Sequence, residues 1–175
     1  FGRVDVLVNG VGFEELFLFT ETTPEFWDKI ININYKGVLN CTKAVLPHLI
    51  DQQSGSIVSV GSDAGRIGEF KEAVYGGCKA AIMSFSKTIA RENGRFGIRA
   101  NVVCPGMTVP TAEEIGEGSM WKENIGLLGQ EYFDKAAKAY PLRRLGTAQE
   151  LANAAVFLGS DAASFITGQI VSVSG

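Results

Sequence analysis

The sequence predicts an α/β fold in which a doubly wound parallel sheet carries helices on both faces. Short runs rich in β-branched residues alternate with longer segments of helical periodicity along the chain, which is the pattern of β-α-β units. The runs end in turns that contain glycine, serine or Pro-Gly, as buried strands do when they stop at one edge of a sheet. The predicted strands are Val4–Val8, Ile57–Val60, Ile98–Cys104 and Gln169–Val173.

The first part of the chain predicts a strand, a glycine turn and two helices. Residues 4–8 are expected to form a buried strand that enters the turn Asn9–Gly12. Thr23-Pro24 combines an N-cap with a first-turn proline, so a helix is expected to begin there. A second helix is expected over about 35–53, with Pro47 as a position for a kink. Its inner face is predicted to carry Val38, Leu39, Val45, Leu46 and Leu49.

The second part of the chain predicts two further helices and a polar connecting segment. A long helix is expected over about 71–95. Residues 107–140 are rich in Glu and Gly, which predicts loops with short mobile helices, and we expect this segment to act as a substrate lid. Thr147 is the predicted N-cap of a helix over 148–158.

The composition is that of a globular protein with a hydrophobic core. Hydrophobic residues make up 46% and charged residues 20% of the 175 residues, and the formal charge of −3 offers no basic surplus for nucleic acid or an anionic membrane. No apolar run reaches the ~20 residues of a membrane span. Cys41, Cys78 and Cys104 are far apart, and the single histidine, His48, has no neighbour at ligand spacing. We therefore expect a cytoplasmic protein with reduced thiols and without nucleic acid, membrane or metal.

The pair Tyr75 and Lys79 is the strongest chemical signal in the sequence. The two residues are four positions apart in a predicted helix, so they share one face of it. A lysine cation beside a phenol lowers the pKa of the phenol, and such a phenol can exchange a proton with a carbonyl or alcohol oxygen. The same spacing also occurs in exposed surface pairs, so the interpretation depends on the neighbouring elements.

Three predicted strands end in residues that are suited to a ligand site. The turn Asn9–Gly12 follows the first strand, Ser62 follows the second and Pro105-Gly106 follows the third. Ligands of parallel sheets bind beyond the carboxyl ends of the strands, so these residues are expected to form one crevice with Tyr75 and Lys79. A serine hydroxyl in that crevice can hold the substrate oxygen. The sequence therefore predicts the interconversion of an alcohol and a ketone, with a separate carrier for the hydride.

Three local patterns have alternative interpretations. Ser62 lacks the G-x-S-x-G flanks of a hydrolase nucleophile, so that role is disfavoured. The adjacent acids Glu14 and Glu15 resemble acid/base carboxylates, but a solvated surface is the favoured interpretation. The apolar residues Phe13 and 16–19 fit either a substrate wall or the protein core.

Taken together, the motifs resemble those of the short-chain dehydrogenase/reductase family. Asn9-Gly10-Val11-Gly12 resembles the N-N-A-G of the family, and Asn101–Gly106 resembles its N-x-V-x-P-G. The positions of the catalytic tetrad are matched by Asn34, Ser62, Tyr75 and Lys79. The resemblance covers essentially the whole chain and implies a Rossmann-like fold.

The resemblance also implies a role for each site residue. Tyr75 is the general acid/base, and Ser62 hydrogen-bonds the substrate carbonyl. Lys79 lowers the pKa of Tyr75 and holds the nicotinamide ribose, while Asn34 positions a water that links Lys79 to solvent. The implied cofactor is NAD or NADP. The residues expected to line it are Asn9, Gly12, Tyr75, Lys79, Pro105, Gly106 and Thr108.

Further expectations concern the domain, the substrate and the assembly. The T-G-x-x-x-G-x-G turn, which holds the pyrophosphate in this family, has no counterpart in the sequence. We therefore expect residues 1–175 to be one dinucleotide-binding and catalytic domain that lacks its first strands, with a non-catalytic fragment or binding homologue as the alternative. The segments Ser62–Arg66 and Glu72–Tyr75 resemble enzymes of hydroxyacyl-CoA thioesters, with oxoacyl carrier-protein reductases as near neighbours. The expected partners are a small alcohol or ketone, with a CoA thioester as one option, and further copies of the chain in a homotetramer.

Overall fold

A parallel sheet of four strands forms the centre of the molecule. The computed structural model describes residues 2–117, 119 and 121–175. The strands are β1 (Val6–Asn9), β2 (Gly55–Val60), β3 (Ile98–Pro105) and β4 (Ile170–Val173), in the spatial order β1-β2-β3-β4. Every neighbouring pair is parallel, so all four strands end at the same edge. The predicted parallel sheet is confirmed.

Helices cover both faces of this sheet, as predicted. The helices of the described chain are α1 (Pro24–Ile31), α2 (Gly37–Gln52), α3 (Ala64–Ile67), α4 (Ala73–Asn93), α5 (Trp121–Ala137) and α6 (Ala148–Gly159), of which α2, α4 and α6 pack on the sheet. On one face, α2 and α4 pack their apolar residues against the sheet, and Leu49 contributes to a core cluster with Ile57. On the other face, Leu158 of α6 packs with Val58 and Val103. Because both faces are covered, most residues of β2 and β3 are buried, including the polar Ser56, Ser59 and Asn101.

A π-helical turn at Asn32–Lys36 joins α1 to α2. Thr23 caps the start of α1, as predicted. The predicted second helix, over about 35–53, is confirmed as α2 (Gly37–Gln52), although the π turn makes it continuous with α1. The turn buries Asn34 completely, and α2 then continues through Pro47 to its end. Single π turns inside helices often mark functional sites.

The strand β1 is less buried than the sequence predicted. Val6 and Val8 are 42% and 52% exposed, whereas Leu7, on the other face, packs against the core. The expectation of a fully buried strand is wrong because β1 lies at the edge of the described sheet, where α2 covers only one of its faces.

The polar segment 107–140 contains more helix than predicted. It includes a short 3-10 turn at Ala112–Glu114 and the helix α5. Gly129 interrupts α5 with a φ of +69°, a conformation that glycine adopts readily. Phe133 anchors the end of α5, since it is only 8% exposed. The function of the segment as a lid stays a prediction.

Candidate active site

The carboxyl ends of β1, β2 and β3 meet the start of α4 in one crevice. The Asp63 amide donates to Pro105 O at 3.0 Å, which joins the loop after β2 to the end of β3. Lys79 of α4 donates from Nζ to Val60 O at 3.1 Å. The loop after β1 reaches the same lysine, because a Cβ built on Gly12 would lie 3.3 Å from Nζ. The structure thus brings the predicted strand-end residues and Lys79 together.

Lys79 is a buried lysine at the centre of this crevice. Its residue is only 1% exposed, and burial lowers the pKa of its ammonium group to about 8 because desolvation disfavours the charged form. Nζ lies 5.4 Å from the ring centroid of Tyr75, as their spacing along one helix face predicts. Lys79 is therefore a cation at neutral pH that can still exchange its proton.

Tyr75 differs from the sequence expectation in the direction of its pKa shift. Burial raises the pKa of the phenol, and the charge of Glu72 raises it further, while the Ser62 side chain acts in the opposite direction. The expected decrease of this pKa beside Lys79 is wrong, because desolvation of a phenolate is costly in a buried site. Tyr75 is therefore protonated at neutral pH. The Ser62 hydroxyl accepts a hydrogen bond from the Ala64 amide at 3.2 Å, which holds Ser62 at the start of α3.

Asn34 holds the loop that follows β1. Its Oδ1 accepts from the Phe13 amide at 3.1 Å, and its Nδ2 donates to Phe13 O at 2.8 Å and to Ile30 O at 3.0 Å. The Ile30 bond lies at the beginning of the π turn, so this irregular turn and the loop depend on the same side chain. The absence of a side chain at Gly12 allows the loop to approach Asn34 and Lys79 closely.

Asn9 and the residues after β3 form the outer parts of the crevice. Asn9 is buried and donates from Nδ2 to Thr42 and Ser59, so it ties β1 to α2 and β2. Gly106 lies against Tyr140, since a Cβ there would be 2.9 Å from the Tyr140 ring. Thr108 forms an isolated parallel bridge with Gly146. The roles assigned to Asn9, Gly106 and Thr108 at the cofactor stay predictions.

Glu14 and Glu72 are ionisable groups of the crevice that the sequence did not identify. The solvated surface expected for Glu14 is wrong: the residue is 7% exposed and burial raises its pKa to about 9. Glu15 instead faces α1, where it pairs with Lys29 at 2.5 Å. Burial raises the pKa of Glu72 to about 7. The sequence could not show which of residues 14 and 15 is buried, because an irregular loop has no periodic pattern of burial.

The apolar segment 16–19 packs on α1. Phe17 contacts Phe26 edge to face at 5.5 Å, and Phe19 stacks on Trp27 at 5.6 Å. Both phenylalanines stay partly exposed, at 41% and 57%. The segment is therefore a partly exposed aromatic layer on α1 and does not belong to the fully buried core.

Across the described residues, no group of three or more His, Cys, Asp and Glu side chains is arranged to hold a metal ion. None of the helices in those same residues combines the length and apolar character that a membrane span needs. Of the free cysteines, Cys78 and Cys104 are buried and Cys41 is exposed.

Ser62 follows β2 and meets Tyr75 and Lys79 of α4 at the carboxyl edge of a parallel sheet, an arrangement suited to the proton transfer of an oxidoreductase. A family model described as "Enoyl-(Acyl carrier protein) reductase" matches residues 1–175. The chain belongs to the short-chain dehydrogenase/reductase family. Its Rossmann-like fold agrees with the resemblance that the motifs predicted.

The relatives that match this chain are named as a reductase and as an oxidoreductase. A 3-oxoacyl-[acyl-carrier-protein] reductase, FabG, of Thermotoga maritima is 36% identical over 176 residues, which are 100% of this chain and 66% of that protein. The oxidoreductase UcpA of Salmonella typhimurium is 41% identical over 95% of this chain and 62% of its own length. The chain thus spans about two thirds of the length of these relatives.

Two solved structures are similar in fold and hold a dinucleotide. The structure of ElxO with NADP bound has a TM-score of 0.88 and 33% identity, and the match covers 100% of this chain and 67% of that one. A gluconate 5-dehydrogenase from Burkholderia cenocepacia, in complex with NADP and tartrate, also has a TM-score of 0.88, with 28% identity over 99% of this chain and 64% of that one.

Proposed function

We propose that this chain is the catalytic domain of an NAD(P)-dependent oxidoreductase that interconverts a secondary alcohol and a ketone by hydride transfer. The observation that carries the proposal is the arrangement of Tyr75 and Lys79, whose Nζ lies 5.4 Å from the tyrosine ring centroid in a buried crevice. The side chain of Ser62, just after β2, lowers the pKa of the same phenol through a hydrogen bond. This proton transfer needs a phenol, a lysine and a serine hydroxyl close to the substrate oxygen.

Tyr75 is the proposed general acid and base. In ketone reduction its hydroxyl donates a proton to the carbonyl oxygen, and in alcohol oxidation the phenolate accepts one. Burial keeps the phenol protonated at neutral pH by raising its pKa, which suits proton donation to a ketone. Ser62 donates a hydrogen bond to the substrate oxygen. Lys79 can replace the proton that Tyr75 loses, because burial lowers the pKa of its ammonium group to about 8. Asn34 positions the loop beside Lys79 and, as the resemblance implies, a water.

The residues of the crevice fit a nicotinamide cofactor. Lys79 Nζ makes one hydrogen bond, to Val60 O, within the described residues, so further N–H groups can donate to ribose hydroxyls. The glycine at position 12 leaves the approach to Nζ open. When bound, the nicotinamide supplies or accepts the hydride. The proposed lining consists of Asn9, Gly12, Tyr75, Lys79, Pro105, Gly106 and Thr108. The two NADP complexes of similar fold support this proposal without deciding between NAD and NADP for this chain.

The proposed substrate class is a hydroxyacyl or oxoacyl thioester. The name of the Thermotoga relative, a 3-oxoacyl-[acyl-carrier-protein] reductase, supports it, together with the segments 62–66 and 72–75. We further propose that residues 107–140 cover the bound substrate, that the protein is cytoplasmic, and that copies of the chain associate through the long helices α2 and α4 as a homotetramer.

The proposal is tested by removing the hydroxyl group of Tyr75 and measuring the loss of turnover. In the natural full-length protein, Tyr75→Phe should reduce turnover by roughly 100-fold or more, since positioned acid–base catalysis contributes 10²–10⁴-fold. Reduction of NAD⁺ and NADP⁺ is measured separately with hydroxyacyl-CoA thioesters, simple secondary alcohols and sugars. Circular dichroism verifies that the variant is folded.

Tyr35→Phe is the matched control for this substitution. Tyr35 packs edge to face on Phe85 at 6.5 Å, outside the proposed site and the segment 107–140, so loss of its hydroxyl should leave turnover unchanged. Near-normal turnover in a folded Tyr75→Phe variant would refute the proposal. A wild-type protein that binds NADH or NADPH but reduces neither NAD⁺ nor NADP⁺ with any of these substrates would support the non-catalytic binding homologue instead.

A further inference from the structure

The loop that carries Ser62 is joined to the distant strand β4 through side chains. Ser172 of β4 donates a hydrogen bond from its hydroxyl to Asp63 Oδ1 at 2.5 Å, and Asp63 directly follows Ser62 in the sequence. The guanidinium of Arg66, in α3, donates to the same Ser172 hydroxyl and lies 3.8 Å from Asp63 Oδ1. The proton transfer assigned to Tyr75 does not use these three side chains, which we call the β4 network.

The hydrogen bonds of the β4 network have a fixed direction. A guanidinium only donates and a carboxylate only accepts, so the Ser172 hydroxyl accepts from Arg66 and donates to Asp63. A hydroxyl group does both at once, whereas a methyl group can do neither. Each bond has one charged partner, which makes it stronger than a bond between neutral groups. The network therefore depends on the hydroxyl group of Ser172.

Asp63 is attached to the sheet at two points. Its backbone amide donates to Pro105 O at 3.0 Å, at the end of β3, and its carboxylate accepts from Ser172. Ser172 is the register partner of Cys104, the residue before Pro105. The loop after β2 thus crosses the end of β3 and is fixed at β4. A single bond would let the residue rotate about it, and the second bond fixes its orientation.

The backbone around Asp63 determines the direction of the Ser62 hydroxyl. Ser62 Oγ accepts from the Ala64 amide at 3.2 Å, and the Ser62 carbonyl accepts from the Gly65 amide at 3.0 Å. The bond from Ala64 uses one lone pair of Oγ and leaves the hydroxyl proton to be donated to a substrate. Because Ala64 follows Asp63 directly, a rotation of Asp63 would shift the amide that holds Oγ.

We propose that Asp63, Ser172 and Arg66 are positioning residues that orient the Ser62 hydroxyl toward the substrate oxygen. This role rests on the proposed function, in which Ser62 donates a hydrogen bond to that oxygen. The three side chains reach the protein surface, and exposed ion pairs contribute little to stability. The β4 network should therefore affect turnover much more than it affects unfolding.

Amide hydrogen exchange tests the position of the loop without a substrate. Mass spectrometry follows exchange in peptides that cover residues 61–66 of the natural full-length protein. In Ser172→Ala we expect several-fold faster exchange there, because the bond from the Asp63 amide to Pro105 O opens more often. Ser172→Thr keeps the hydroxyl and should exchange like the wild type. Ser164→Ala is the matched control, since Ser164 is exposed at the turn after α6, and it should leave this exchange unchanged.

Steady-state kinetics tests the effect on turnover. Ser172→Ala should lower kcat by about 10-fold with little change in KM, since a misdirected donor weakens an interaction that matters most in the transition state. Ser172→Thr should restore kcat. Asp63→Ala should cause the same loss as Ser172→Ala, and the double variant should lose no more than either single variant, because both side chains act through one bond.

Unchanged exchange in a folded Ser172→Ala variant would overturn the proposal, and so would an unchanged kcat or a kcat that Ser172→Thr does not restore. If Ser172→Ala does not fold, Asp63→Ala is measured with the same expectation. Failure of both variants to fold would show that the β4 network is structural and would also overturn the proposal. If exchange rises as expected but the wild type reduces neither NAD⁺ nor NADP⁺ with any substrate, the positioning of the loop stands and the proposed reaction fails.

Discussion

Gly65→Ala tests how closely α3 must pack on α4 for the crevice to form. A Cβ at position 65 would lie 2.7 Å from the Ala80 amide nitrogen and 2.8 Å from the Lys79 carbonyl carbon. Ordinary contact begins at 3.4 Å, so α3 must move away by about 0.7 Å. Both contacts are with backbone atoms of α4, which cannot rotate aside as a side chain can.

The expected cost follows from this overlap. Overpacking of this kind costs about 1–3 kcal/mol, and the better helix propensity of alanine returns at most about 1 kcal/mol. We expect a net loss of about 1–2 kcal/mol in the free energy of unfolding. Ser62 should move with α3, because its carbonyl accepts from the Gly65 amide at 3.0 Å. A displacement approaching 1 Å from Tyr75 should reduce kcat by about 10-fold or more.

Urea denaturation and kcat are compared for the wild type, Gly65→Ala and the control Gly77→Ala. Gly77 lies on the exposed side of α4, and a Cβ there would meet nothing within 4 Å. This control should be as stable as the wild type or more stable by up to about 1 kcal/mol. If Gly65→Ala matched the control in both stability and kcat, the proposed steric role of the glycine would be refuted.

Two further predictions concern stability. Arg99 donates to four carbonyls around the end of α6, those of Leu158, Gly159, Ser160 and Ile166. Arg99→Met should therefore lower the free energy of unfolding by about 2–4 kcal/mol in urea, with partial recovery in Arg99→Lys. Because the pKa of Glu14 rises from 4.5 to about 9 on folding, the native state binds the extra proton. Stability should fall as pH rises across that window, by at most about 1.4 kcal/mol per pH unit, and the slope should decrease in Glu14→Gln.

Sequence patterns predicted the crevice because its parts are periodic or follow directly from strand ends. Tyr75 and Lys79 share a helix face through a spacing of four, and Ser62 and Pro105 follow strands whose parallel order aligns their ends. Asn34 was recognised through the family motif alone. Its surroundings show a further reason for its identity, since one amide satisfies both the Phe13 backbone and a π turn.

Other properties of the site had no local signal. The pKa of Tyr75 was expected to fall beside Lys79, but burial and Glu72 raise it. The direction of this pKa shift depends on how deeply α4 packs under the loop after β1, and that depth cannot be predicted from the sequence. The separation of Glu14, which is buried, from Glu15, which faces Lys29, likewise depends on where an irregular loop contacts α4 and α1.

The chain alone determined the order of strands and helices and the parallel sheet. It also determined that Ser62, Tyr75 and Lys79 lie in one crevice. These features follow from apolar periodicity, from turn residues and from short-range spacing, which are local properties. The tertiary structure decided the exposure of β1, the π turn that buries Asn34 and the protonation of Tyr75 and Glu14. Those properties depend on desolvation and on charges brought together from distant segments, so they exist only once the elements have packed.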